Sequence, residues 1–323
     1  MLKTDNTTKA FAPASIGNVS LGFDVLGAAL APIDNSLLGD WVEVADAEQF
    51  SLSCDGRFAH KLPPNSVDNI VTQCYEYFQK KRLALGYKAL KVKMHLHKDL
   101  PIGSGLGSSA SSIVAAFYAL NQYSAKVFEA EVFDKNTLLK MMGELEGQIS
   151  GSIHYDNVAP SYLGGMTLMS GQDTQIALNL PVLDKWYWVA CYSGLSVSTA
   201  KARAILPTSY SMSDTLQFGR QLAVFVDSLH KRDEALAASV MIDVIAEQHR
   251  KALLPYFDEA RAFAIQNQAL SFGISGSGPT VFAVTKTLES AQSIQSWLAQ
   301  HYIQNEDGFS HICKIDQAGT RTL

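Results

Sequence analysis

The chain has 323 residues, 47% hydrophobic and 18% charged, with 26 Lys and Arg against 31 Asp and Glu for a net charge of −5. This mild acidity, without a basic block, excludes a general nucleic-acid surface, and the length supports a large core and two domains. Cys54, Cys74, Cys191 and Cys313 are far apart with no Cys-x-x-Cys spacing, which argues against a disulfide framework or zinc site and suits a reducing cytosol. The opening MLKTDNTTKAF lacks a signal-type apolar region, and no apolar run nears the ~18 residues of a membrane span, so a cytoplasmic protein without a membrane partner is expected.

In chain order, DWVEVADA (40–47) and FSLSCDG (50–56) read as strands. DNIVTQCYEYFQKKRLAL (68–85) reads as a helix, with Ile70, Cys74, Tyr77 and Phe78 at helical spacing. In ALKVKMHLHKDLP (89–101), Leu90, Val92, Met94 and Leu96 alternate with Lys91, Lys93, His95 and His97, the pattern of a half-buried strand. His95 and His97 fall on its polar face and receive no function. SSASSIVAAFYALNQY (108–123) and TLLKMMGELEGQI (137–149) are helical. Beyond residue 165 come a strand (185–194), helices at 199–206 and 216–231, helices over 240–266 broken near Pro255, a strand (278–285), a helix (288–303) and a strand (311–317). Gly164, Gly165 and Gly171 punctuate YLGGMTLMSGQD, which places the domain change between 1–167 and 168–323.

Four polar clusters interrupt this pattern. LPIGSGLGSSASS, Leu100–Ser112, joins a strand to a helix that opens on serines, as helix N-caps prefer. Gly103, Gly105 and Gly107 strip the Cβ atoms from one edge of the turn. Backbone N–H groups can then converge beside a helix N-terminus and cradle a phosphate. No Gly-Lys-Ser/Thr triplet and no GxGxxG spacing is present, so the alternative to a cradle is a plain flexible turn. GISGSGPTVFA, Gly273–Ala283, is a second glycine loop, and two such loops in separate halves suit a ligand held between domains.

In the third cluster, helical spacing puts Leu139, Met142, Glu146 and Ile149 on one face, and a carboxylate directed at packed surface needs a partner such as a metal. Lys140 and Glu144 are read as a solvated i,i+4 pair. Asp156 and Asn157 follow in a loop stopped by Pro160, with His154 orienting that loop; taken alone, the pair is equally a bare turn. In the fourth, Asn18 and Asp24 bracket a glycine-rich turn, where Asx-turn chemistry is the plain alternative.

LPIGSGLGSSASS, PASIGNVSLGFDVLGAAL, SGSIHYDNVAPSYLGG, VSTAKARAILP and GISGSGPTVFA together resemble the GHMP kinase superfamily (galacto-, homoserine, mevalonate and phosphomevalonate kinases), and within it the homoserine kinases. The resemblance runs nearly end to end with the motifs in family order. It implies a two-domain α+β fold: an N-terminal domain like the second domain of ribosomal protein S5, with a left-handed βαβ unit, and a ferredoxin-like C-terminal domain. It further implies a homodimer acting in L-threonine biosynthesis, which converts L-homoserine and ATP to O-phospho-L-homoserine and ADP.

By the same resemblance, Pro101, Ile102, Gly103, Ser104, Gly105, Leu106, Gly107, Ser108, Ser109, Ala110 and Ser111 form the ATP-phosphate cradle. Ser108 and Glu146 match the Mg²⁺ contacts, and Asn18, Asp24, Asn157, Arg203 and Arg250 match the homoserine-binding positions. Phosphoryl transfer needs mainly positioning and charge neutralisation. Some superfamily members use an Asp matching Asp156 as a base. Homoserine kinases are thought to manage without a strong one, with the Asn matching Asn157 near the transferring group, and that reading is favoured here, with Asp156 holding the loop. A mevalonate-type kinase would have no ammonium for Asp24 to pair. A non-catalytic ATP sensor would be expected to lose Glu146 or the Asp156–Asn157 pair.

Overall fold

The computed structural model describes residues 6–128 and 133–323. The chain opens with small-residue strands, β1 (Thr7–Pro13), β2 (Ser15–Gly17) and β3 (Leu26–Pro32), followed by β4 (Gly39–Asp46) and β5 (Ser51–Asp55). Helix α1 (Ile70–Ala84) starts where the Asn69 side chain accepts the Val71 N–H at 2.9 Å, an N-cap. After β6 (Val92–His97) come α2 (Ser108–Phe128), α3 (Lys135–Ser150) and α4 (Val158–Leu163). Strands β7 (Met166–Gln172), β8 (Gln175–Leu180) and β9 (Tyr187–Tyr192) precede α5 (Thr199–Ala204), α6 (Met212–Lys231), α7 (Glu234–Ser239), α8 (Glu247–Arg250) and α9 (Phe257–Gln266). The chain finishes through β10 (Ser271–Ile274), β11 (Val281–Thr285), α10 (Leu288–His301), β12 (Phe309–Ile315) and β13 (Arg321–Thr322). No helix among the described residues is long and apolar enough to cross a membrane.

A five-stranded sheet runs β13-β1-β4-β6-β5, antiparallel except for the β5–β6 pair, whose strands are joined through α1. Val42 and Val44 pair with Leu96 and Met94, and all four pack beneath Ile113 and Phe117 of α2. The alternation read from the sequence thus sends the apolar set toward the helices. His97 bridges Asp55 and Asp99 at 2.6 and 3.0 Å and stacks on Trp41 with centroids 4.8 Å apart. The second sheet runs β10-β11-β9-β12-β3-β7-β8, with β2 added on β3. Strand β3 from the N-terminal half therefore lies between β12 and β7, while β13 from the C-terminal end completes the first sheet. The two halves are stitched by exchanged strands.

Three local expectations are corrected. Residues 240–246 are not helical: the Asp243 carboxylate accepts the N–H groups of Ile245 and Ala246 at 2.7 and 2.8 Å, a side-chain turn that competes with the helix. Lys140 and Glu144 do not pair; Lys140 reaches Asp173 at 3.3 Å, whereas Glu144 accepts the Tyr77 hydroxyl and lies 3.7 Å from Lys81. The partners of Glu144 thus come from α1 rather than from its own helix. The serines opening α2 are not caps either, since Ser108 donates to the Leu100 carbonyl, Ser111 to that of Ala12 and Ser112 to Asp40. Leu139 and Met142 are buried as expected, and the side chain of Ile149 lies outside the described residues.

Lys98 and Asp40, 2% and 0% exposed, form an ion pair beneath the start of α2. The other Asp40 oxygen accepts the N–H groups of Asp99 and Leu100 at 2.9 and 3.0 Å, and the ammonium also donates to the Ser108 carbonyl and Ser112 hydroxyl at 2.9 and 2.8 Å. Each charge is saturated, as burial demands. Lys98→Met leaves Asp40 charged and unpaired in the interior, so urea denaturation of that variant should show a loss of about 3–5 kcal/mol. Lys231→Met, which removes an exposed pair with Asp227, should leave the midpoint where it was.

Candidate active site

A cavity of about 660 Å³ is lined from both halves of the chain: Ile102, Gly103, Ser104, Gly105, Gly107, Ser108 and Ser109 of the first glycine loop, Gly276 and Ser277 of the second, and Asn18, Asp24, Glu146, His154, Asp156, Asn157, Arg203 and Arg250. The remaining predicted loop residues sit behind it. Leu106 and Ala110 are core residues, Pro101 is buried, and the Ser111 hydroxyl accepts the Asp40 N–H at 2.9 Å.

The glycines are required, but for a reason the pattern alone did not reveal. Gly103, Gly105 and Gly107 have φ of 68, 81 and 65°, a region L side chains rarely adopt. Their missing Cβ atoms face protein: a Cβ on Gly103 would lie 2.4 Å from the Ser196 hydroxyl, on Gly105 2.3 Å from the Ser275 carbonyl, and on Gly107 2.2 Å from the Ser15 hydroxyl. Loop carbonyls are consumed on the same side. Ile102 accepts from the Ser196 hydroxyl, Gly103 from the Val197 N–H, Ser104 from the Thr280 N–H and Gly105 from the Ser275 hydroxyl, at 2.6 to 3.2 Å. In a planar trans peptide the following N–H points the opposite way. Gly103, Ser104 and Gly105 line the cavity, so this packing turns their N–H groups toward it, beside the open N–H groups of the first turn of α2.

Gly17 and Gly27 admit the loop before α4. A Cβ on Gly27 would lie 1.7 Å from the Asp156 carbonyl, and one on Gly17 2.5 Å from the Asp156 carboxylate. That approach brings Asn157 against Ser15, whose hydroxyl donates to Asn157 Oδ1 at 2.9 Å, while Asn157 Nδ2 donates to Asp156 at 3.3 Å. Burial, and then the nearby Asp24 charge, push the Asp156 carboxyl up to about 7. Burial also raises Glu146, opposed by the Ser109 hydroxyl, which donates to it at 2.7 Å, and by the Lys98 charge.

Asp24 and Arg203 form a two-pronged ion pair at 2.9 to 3.0 Å. Asn18 and Asp24 are both left-handed, with φ of 64 and 59°, and Asn18 Oδ1 accepts the Asp24 N–H at 3.0 Å, so Asn18 closes the turn that presents Asp24. Arg250 is 4% exposed and donates Nε to the Ala202 carbonyl and Nη1 to that of Gly276, at 3.1 and 2.8 Å. His154 lines the cavity with Nδ1 3.6 Å from Asp24, and burial lowers its basicity.

Sequence reasoning missed Lys98 and an apolar stretch of wall comprising Leu62, Pro63 and Ile70. The Lys98 signal was present as a charged residue two positions before the glycine loop. The apolar wall had none, because its residues look like ordinary helix-entry and core positions.

If the first glycine loop owes its shape to packing on the second, Gly105→Ala must fail twice, through its φ and through the clash with Ser275. Gly86 has φ of 80° and open space within 4 Å of where a Cβ would stand, so Gly86→Ala bears only the backbone penalty of roughly 1–2 kcal/mol. Urea unfolding should rank Gly105→Ala well below Gly86→Ala.

The N-terminal domain of GHMP kinases matches residues 69–165, and the C-terminal domain of GHMP kinases matches residues 226–304. The homoserine kinase from Cytophaga hutchinsonii is 31% identical, with 100% of this chain and 99% of that chain covered and a TM-score of 0.86. The Methanococcus jannaschii mevalonate kinase (12% identity, 98% and 99% covered, TM-score 0.65) and the Streptococcus pneumoniae phosphomevalonate kinase (12%, 95% and 99%, 0.68) share the fold. Two domain matches in order, a full-length relative and a cavity between two interlocked glycine loops lead to one conclusion: the chain belongs to the GHMP kinases and is a phosphotransferase of that family.

Proposed function

We propose that this protein is a homoserine kinase, transferring the γ-phosphoryl group of ATP to the hydroxyl of L-homoserine and releasing O-phospho-L-homoserine and ADP within L-threonine biosynthesis. The observation that carries this reading is the charge cluster in the cavity: one carboxylate, Asp24, beside two guanidinium groups, Arg203 and Arg250. A zwitterionic amino acid offers the complementary charges, its ammonium to Asp24 and its carboxylate to the guanidinium forks. Without ligand, the Asp24–Arg203 pair keeps both charges matched. A mevalonate-type acceptor has a carboxylate but nothing for Asp24. Assembly as a homodimer, a cytoplasmic location and a division of the chain near residue 167 belong to the same proposal.

The residues fit ATP with Mg²⁺. The inward N–H groups of the loop suit phosphate oxygens, and Leu62, Pro63 and Ile70 supply apolar surface for a base. The donors near the loop are hard oxygens, the half-buried Glu146 carboxylate and the Ser108 and Ser109 hydroxyls. Among the described residues no cluster of three His, Cys, Asp or Glu could form an all-protein cage, and Mg²⁺ is typically held by one or two carboxylates together with substrate phosphates. Glu146 and Ser108 would hold the ion, which when bound offsets triphosphate charge. Asn157, fixed by Ser15, lines the cavity where its amide can orient the acceptor hydroxyl for in-line attack without a strong base.

A coupled ADP-release assay should show turnover of L-homoserine and little of mevalonate, galactose or threonine; faster turnover of mevalonate overturns the assignment. Arg203→Ala should raise KM for homoserine about ten- to a hundredfold, as loss of a charge-assisted bond of roughly 1.5–3 kcal/mol requires, and leave ATP binding nearly unchanged. The carboxylate-free 3-aminopropan-1-ol should lose much less.

The Asp156 carboxyl, with its pKa of about 7, favours a second reading in which it acts as general base. A base must be ionised, so the rate would then fall as pH drops below about 7. Under direct attack, Asp156→Asn should keep the pH–rate profile of the parent. Loss of such an acidic limb in the variant establishes the base.

A further inference from the structure

The ring of Phe23 has no part in the phosphoryl transfer proposed for the cavity. Phe23 is half-buried next to Asp24 and does not border the cavity. The guanidinium carbons of Arg203 and Arg250 nevertheless lie 5.5 and 5.1 Å from its ring centroid. These arginines come from separate helices, α5 and α8, and carry like charge in partly desolvated surroundings. Each is anchored separately: Arg203 is paired by Asp24, and Arg250 donates to the Ala202 and Gly276 carbonyls. The Phe23 ring is a contact common to both, and an aromatic face attracts cations through its quadrupole without neutralising their charge or taking up their N–H groups. The turn holding the ring is unusual as well: Asn18, Ser20 and Asp24 are non-glycine residues with φ of 64, 61 and 59°, a strained arrangement of the kind found at ligand clamps.

We propose that Phe23 is a specificity-determining positioning residue, its ring a shared cation platform that sets the spacing of Arg203 and Arg250 and thereby the affinity for the acceptor's carboxylate. The inference rests on the amino-acid reading above. It is tested on the full chain by steady-state kinetics of the parent, Phe23→Leu and Phe23→Tyr, with ATP and either L-homoserine or 3-aminopropan-1-ol. Phe23→Leu should raise KM for homoserine roughly tenfold, the loss of one desolvated cation–π contact. It should leave kcat and KM for ATP within about twofold, and Phe23→Tyr, which keeps the ring, should restore the parent value. Constants for 3-aminopropan-1-ol should not differ among the three proteins. An unchanged KM in Phe23→Leu, an equal loss in Phe23→Tyr, or a parallel loss with 3-aminopropan-1-ol overturns the proposal. Thermal unfolding checks the fold, and Phe23→Met replaces a Leu variant that does not fold, with the same expected values. A parent enzyme that ignores homoserine refutes the amino-acid reading itself, whereas a parent that uses it with no ring effect refutes only the role of Phe23.

Discussion

Beneath the glycine loop, Lys98 and Asp40 share an ion pair from which water is excluded, and much of the molecule's organisation follows from satisfying it. A buried carboxylate and ammonium are tolerated only when every lone pair and proton has a partner. Here the partners are the backbone of residues 99 and 100, the Ser108 carbonyl and the Ser112 hydroxyl. Strand β4, the exit from β6 and the first turn of α2 are thereby joined at one point. The loop from 101 to 107 has both ends anchored before it meets any ligand.

The second constraint is steric. Strand exchange between the sheets brings the turn after β10 against the first glycine loop, and carbonyls at 102–105 are answered by residues 196, 197, 275 and 280. Glycine is needed where two backbones touch with φ positive, and the outward consequence is a row of N–H groups facing the cavity. The shape of the first loop is thus set by how the two loops pack. Gly17 and Gly27 play a related part by letting the Asp156–Asn157 turn rest directly on β2 and β3.

The charges in the cavity divide into two populations. Glu146, Asp156 and His154 are shifted toward their neutral forms by burial. Asp24 and Arg203 are partly exposed and remain matched by each other. Groups of the first kind respond sharply to a cation or proton arriving nearby. Groups of the second kind exchange one partner for another at modest cost, which suits recognition of a ligand that carries both signs.

The sequence by itself determined what depends on neighbours within a few residues. Alternation at 90–97 placed β6 and its faces, 3-and-4 spacing placed α1 and α3, and the glycine loops were visible as punctuation, the first of them marking the start of α2. Strands β1 to β3 escaped notice because Ala, Gly and Pro carry little β signal, and helix was expected at 240–246 where one Asp side chain turns the backbone instead. Tertiary structure alone decided the partners. Glu144 took Tyr77 and Lys81 in place of Lys140, Arg203 met Asp24 from 179 positions away, and Asn157 met Ser15 from 142. Local propensity acts over one or two turns of chain, whereas the choice of a charge's partner depends on which surfaces the sheets bring together and which pairings leave no polar group stranded.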